Sequence, residues 1–152
     1  MRGVLAAVVF VSIVDLVGCA TTSSNRAPGV EAASPPGAAP SLAQIYFWKA
    51  RPGKFDEYSR YIHDVAEPID GEAQRRGAVL SVTTYMVRDS MTPWTHMRVF
   101  ILRDSAQLRA LAGALDSAGI RLEPDSAKRR IRGEYSASLR DRVGASTAEM
   151  LR

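Results

Sequence analysis

The chain has 152 residues, one cysteine and a formal net charge of +4. A single cysteine excludes a disulfide framework and a cysteine-bound metal cluster, and the length allows one core of modest size.

Arg2 precedes an apolar run from Val4 to Val14, which leads into Leu16-Val17-Gly18-Cys19. A charged start, a short apolar stretch and small residues at a cut site describe an export signal. The run falls short of the roughly 20 apolar residues of a membrane span, and Asp15 sits near its end, where a charge is costly in hydrocarbon. Leu16-Val17-Gly18-Cys19 resembles the lipobox of bacterial lipoproteins. The resemblance implies that residues 1–18 are a signal peptide and that Cys19 carries a diacylglycerol thioether and an amine-linked acyl chain such as palmitate. Ala20, standing where an aspartate would retain the protein in the inner membrane, implies an outer-membrane anchor facing the periplasm in a cell with two membranes. An ordinary cleavage that releases a soluble protein stays open as the alternative. Either address makes nucleic acid an improbable partner.

Residues 19–41 are made largely of Ala, Ser, Thr, Pro and Gly, including Ser34-Pro35-Pro36-Gly37. Such a segment cannot offset the entropy of ordering itself, so it reads as a flexible tether reaching some 25 Å. The domain proper is expected over 42–152. Ile45-Tyr46-Phe47-Trp48 is a β-branched and aromatic run stopped by Arg51-Pro52-Gly53, a strand. Phe55, Tyr58, Ile62, Val65, Ala66, Ile69 and Ala73 recur at helical spacing, with Asp56, Arg60 and Asp64 as two i,i+4 ion pairs on the opposite face. Pro68 should break or kink this helix, and Gly77 should end it.

Ala78 to Arg88 reads as a second strand, Asp89 to Pro93 as a turn and Trp94 to Leu102 as a third strand. Asp104-x-x-Gln107 opens a helix as a capping box, with Leu108, Leu111, Ala112 and Leu115 on one face. Asp125 and Ser126 start another helix, which should run to about Val143, with a short last strand near Thr147–Leu151. The fold class is α+β, with the β-α-β-β-α-β order of ferredoxin-like domains and an extended second helical region.

Tyr46-x-Trp48-Lys49-Ala50-x-Pro52-Gly53-Lys54 and Pro93-Trp94-Thr95-His96-Met97-Arg98-Val99-Phe100 resemble the dimeric α/β-barrel superfamily. That resemblance implies a homodimer in which two sheets close a barrel. It also brings a choice of roles, among them cofactor-independent monooxygenases, haem-degrading enzymes and binding proteins. The haem-degrading and quinone-forming members need an active-site asparagine; the only asparagine here is Asn25, in the tether, so no residue carries over from them.

Strand alternation sorts the side chains into two faces. Met97, Val99 and Ile101, with Leu80, Val82, Met86, Ile45 and Phe47, are expected beneath the helices. Tyr46, Trp48, Thr83, Tyr85, Trp94, His96, Arg98 and Phe100 are then expected on the open face, where they would bind a small apolar or aromatic ligand or fill a dimer interface. His96 and Arg98 are the candidate catalytic residues, one as a general base and the other as an anion holder. The competing readings are a hydrogen-bonded structural histidine and an ion-paired arginine.

His63 with Glu67 supplies two potential ligands where zinc wants at least three protein ligands, so neither a metal nor a cofactor is expected. Lys128, Arg129, Arg130, Arg132, Arg140 and Arg142 read as a solvated basic helix, or as a surface drawn to anionic lipid. The functional expectation is an envelope lipoprotein that binds a small molecule or partner without catalysis. The alternative is a cofactor-independent monooxygenase or isomerase working in the barrel.

Overall fold

The computed structural model describes residues 41–150. The expected export signal, Cys19 and nearly all of the expected tether lie outside the described residues. Nine elements follow in order: β1 (Leu42–Ala50), α1 (Phe55–Tyr61), a π-helical segment (Ile62–Ala66), α2 (Glu67–Arg75), β2 (Ser81–Met86), β3 (His96–Leu102), α3 (Ser105–Leu122), α4 (Ser126–Leu139) and β4 (Arg140–Glu149). The strands form one sheet in the order β2-β3-β1-β4, every neighbouring pair antiparallel, which is the arrangement of a ferredoxin-like domain and gives an α+β fold. No helix among the described residues is long and apolar enough to cross a membrane.

Pro68 does not break its helix. The π-helical segment lies immediately before it, and the Glu67 amide donates to the Ile62 carbonyl, five residues back. A π turn is wider than an α turn, so the missing proline N–H and the bulk of its ring are absorbed without ending the rod. Gly77 ends it as expected: at φ 73° it donates to Gln74 O while Ala78 donates to Ala73 O. This pair of bonds satisfies carbonyls at the helix end in the glycine-dependent cap. The expected ion pairs along this helix do not form. Asp56 pairs instead with Arg88 at 2.5 Å, and Asp64 with His63 at 2.7 Å.

Both predicted N-caps are present. Asp104 accepts from the Gln107 amide at 2.9 Å, and Gln107 Oε1 reaches back to the Arg103 amide at 2.6 Å, one residue beyond the usual capping-box partner. Asp125 accepts from the Ala127 and Lys128 amides at 2.8 and 3.3 Å. The last two boundaries differ from expectation. α4 stops at the buried Leu139, and β4 starts at once, pairing with β1 along its whole length. This edge strand, Arg140-Asp141-Arg142-Val143-Gly144-Ala145-Ser146-Thr147-Ala148-Glu149, carries few large apolar residues and so lacks a strong strand signature.

The faces of β1 and β3 are the reverse of those expected, whereas β2 keeps its expected sidedness, Val82 and Met86 pairing opposite Phe100 and His96 and Thr83 and Tyr85 opposite Val99 and Met97. His96, Phe100 and Leu102 are essentially fully buried, and the row they form with Arg98 packs under the helices. Cross-strand pairing places Leu42, Gln44, Tyr46 and Trp48 on the same side. Met97, Val99 and Ile101 pair with Phe47, Ile45 and Ala43 on the other side, where no helix of residues 41–150 lies over them. The alternation rule failed because the polar members of the buried row are satisfied internally, His96 by Ser59 and Thr95 and Arg98 by Asp70.

The core has two parts. Ala50, Tyr58, Ile62 and Leu139 gather Trp48, Phe55, Tyr61 and Ala66 about them, and Val79, Phe100, Leu102 and Leu111 gather Leu42, Tyr46, Val82, Leu108 and Leu115.

Candidate functional site

Between the buried sheet face and the helices lies a cavity of about 300 Å³. Trp48, Arg98 and Arg140 form its floor from the strands. Tyr58, Tyr61, Ile62, Ala66, Ile69 and Asp70 form one wall from the first helical rod. Leu115, Asp116 and Gly119 of α3 and Arg129, Arg132 and Gly133 of α4 complete it.

A β-bulge sets the floor. The pairing of β1 with β4 slips between Phe47 and Trp48, so Val143 is an extra residue between Gly144, opposite Phe47, and Arg142, opposite Trp48. One extra residue exchanges the faces of everything beyond it. Arg140 and Arg142 are thereby turned toward the helices, where their guanidiniums lie over Trp48 at 3.4 Å and over Tyr46 at 4.9 Å, measured to the ring centroids. Arg140 also stands 5.5 Å from the Tyr58 ring. Cation–π contacts of this kind are worth about 0.5–2 kcal/mol each, more as water is withdrawn.

The arginines of the cavity are partnered unequally. Arg98 forms an ion pair with Asp70 of α2, the two side chains being 13% and 9% exposed. Arg129 donates to the Glu123 and Pro124 carbonyls at 2.9 and 2.7 Å, and Arg132 lies 3.9 Å from the Glu123 carboxylate. The inner Nε of Arg98 and that of Arg140 are enclosed with no hydrogen-bond partner among the described residues. Burial lowers the pKa of both guanidiniums, although an arginine side chain stays charged. Burial also pushes the Tyr58 phenol up to about 12, so it stays protonated.

His96 is outside this cavity. Its Nε2 lies 3.0 Å from Ser59 Oγ and its Nδ1 2.9 Å from Thr95 Oγ. Ser59 gives its own proton to the Phe55 carbonyl at 2.8 Å, so it accepts from His96 Nε2–H, and the Thr95 hydroxyl has the Trp48 carbonyl at 3.3 Å and the nearer Nδ1 at 2.9 Å as acceptors for its one proton. Phe55 and Tyr58 flank the ring at centroid distances of 4.8 and 4.5 Å. Burial first, and the Arg88 charge second, lower its pKa to about 4. With both nitrogens occupied, this imidazole has no lone pair to offer as a base.

Of the residues singled out in the sequence, Trp48 and Arg98 line the cavity, and Tyr46 and Phe100 pack edge to face beside them at 5.7 Å. Thr83 and Tyr85 pair across from Val99 and Met97 on the open face. Trp94 joins Phe47 there at 5.9 Å. Sequence reasoning missed Tyr58, whose helical spacing marked it only as core, Tyr61, which falls outside that spacing, and Asp70, which stands among other acidic residues of the same helix. It also read Arg129, Arg132 and Arg140 as solvated; the bulge that redirects Arg140 leaves no composition signal. His63 is exposed and bonds Asp64 rather than Glu67, and among the described residues no cluster of three or more histidine, cysteine or acidic side chains is placed to hold a metal.

No protein-family model matches the chain, and no curated protein is similar to it in sequence. Among solved structures, the chain is similar to HapK from Hahella chejuensis at a TM-score of 0.50 and 12% identity, over 72% of this chain and 92% of that one. It is also matched, at a TM-score of 0.44 and 16% identity, to PA3566 from Pseudomonas aeruginosa, over 76% of this chain and 96% of that one. The first likeness is one of architecture alone, the second is too distant to add to it, and together with the sheet order the first shows a small α+β domain.

Proposed function

We propose that the domain is a non-catalytic binder of a small apolar or aromatic molecule, held in the sheet–helix cavity rather than on the open face of the sheet. The observation that carries this reading is the cavity itself. It has a tryptophan floor, two tyrosines and an aliphatic wall, with a few fixed polar groups, the composition expected of a ligand pocket, at the small end of the usual 300–1,000 Å³ range. The enzymatic alternative assigned proton transfer to His96, which lies outside the cavity and is committed to Ser59 and Thr95.

Two further elements belong to the same reading. The open face presents Ile45, Phe47, Met97, Val99 and Ile101, an apolar row that a layered fold must cover. A second copy of the chain would cover it and close a dimeric α/β barrel, as the resemblance noted above implies. Acylation of Cys19 would hold the dimer on the bacterial envelope, at the outer membrane facing the periplasm.

The test is native mass spectrometry of the full chain purified from its own cells. A retained organic molecule, lost when Ile69→Trp fills the cavity, is the expected result. A bare protein whose Trp48 fluorescence, isolated by Trp94→Phe, ignores a panel of aromatic and fatty compounds would overturn the reading.

A further inference from the structure

We propose that the cavity selects molecules with a carboxylate on an apolar or aromatic body, and that Arg140 is the residue that receives the carboxylate. The proposal rests on the binding role argued above and adds the chemical class of the ligand.

Arg140 differs from the other cationic groups around the cavity. Arg98 has Asp70, Arg129 has two carbonyls and Arg132 faces Glu123. Arg140 makes no hydrogen bond or ion pair with any described residue, although its carboxylate-bearing neighbour Asp141 is engaged by Arg51 at 3.0 Å. The Arg140 Nε is enclosed without an acceptor, which costs free energy, and its terminal nitrogens are not enclosed and have no protein acceptor among the described residues. Its stacking on Trp48 at 3.4 Å and its distance of 5.5 Å from Tyr58 compensate one face of the plane and leave the N–H edges free. That edge is the planar fork that matches a carboxylate with two parallel hydrogen bonds.

The rest of the cavity points the same way. Four arginines line it against the two carboxylates of Asp70 and Asp116, so its field favours an anion. Tyr58 lines the same cavity, with its ring 5.5 Å from the Arg140 guanidinium, and its phenol stays protonated, so it adds a neutral donor to the lining. The aliphatic wall of Ile62, Ala66, Ile69 and Leu115 would face the uncharged body of the ligand. A volume of about 300 Å³ limits that body to one or two rings or a medium-length chain.

The experiment is calorimetric titration of the detergent-solubilised full chain with two matched pairs, 2-naphthoate against 2-naphthamide and decanoate against decanamide. A charge-assisted bidentate contact should favour the acid over its amide by roughly ten- to hundredfold. Arg140→Gln should abolish that preference, read as the ratio of acid to amide affinity, whatever the change in amide affinity itself. Arg140→Lys, which keeps the charge but loses the fork and the stacking, should retain part of it. Equal binding of acid and amide to the natural chain, or an acid preference that survives Arg140→Gln, would overturn the carboxylate proposal and leave the cavity as a neutral-ligand site. Failure of all four compounds to bind would overturn the binding role together with it.

Discussion

Acidification should destabilise the domain through His96 in a window set by its burial. The unfolded histidine titrates at 6.5, whereas burial lowers the folded value to about 4. Between these limits the unfolded chain takes up a proton that the folded chain refuses, so stability falls as pH falls. The contribution is intact above about pH 6.5, and below about pH 4 no more is lost because both states are protonated. A difference of about 2.5 units corresponds to about 3 kcal/mol in total, with a slope near 1.4 kcal/mol per pH unit around pH 5. Carboxylates titrate across part of the same range, so the comparison is with His96→Gln, which keeps a donor toward Ser59. Urea unfolding of both proteins from pH 7.5 to 4 isolates the histidine as the difference between the two curves, whatever their offset. Parallel curves, or an imidazole nitrogen spectrum showing His96 protonated in the folded state at pH 6, would refute the closed Ser59–His96–Thr95 network.

Three other outcomes follow from the same structure. Asp70→Asn strands Arg98 without a counter-charge and should cost about 3–5 kcal/mol by urea unfolding, while Arg98→Met combined with Asp70→Leu should recover most of it; a loss below about 1 kcal/mol would mean that cavity water already solvates Arg98. Val99→Asp, at the middle of the open apolar face, should convert a dimer to a folded monomer in native mass spectrometry, and a natural chain that is itself monomeric would remove the barrel from the proposal. Cys19→Ser should shift the protein from the membrane to the soluble fraction; unchanged partition would end the lipid-anchor reading.

The element order was legible in the sequence because each signal there is local. Asp104 and Asp125 as caps, Gly77 as a stop and the apolar period from Phe55 to Ala73 depend on neighbours within a turn or two. Sidedness was legible for β2 but not for β1 and β3. Met97, Val99 and Ile101 look more like core than His96 and Arg98 do, and the choice is reversed by partners that come from distant helices, Ser59 and Asp70. The candidate site was half legible for the same reason. Trp48 and Arg98 stood out by chemistry, whereas Arg140 depends on a one-residue slip in strand pairing, and Tyr58 shares its spacing with ordinary core residues.

The π-helical segment before Pro68 also carries a constraint on length. An inserted residue in a helix advances everything after it by roughly 100° around the axis. The π turn of Ile62–Ala66 takes up such a residue, so that Tyr58 and Tyr61 before it and Ile69 and Asp70 after it line the same cavity. In a strictly α-helical rod of the same length, Asp70 would lie roughly 100° further round the axis and would not face the same space as Tyr58. The acidic partner of Arg98 would then swing out of line, even with every side chain of the site still present in the sequence. The pocket thus depends on the π turn being kept together with the number of residues between Tyr58 and Asp70, as well as on which residues they are.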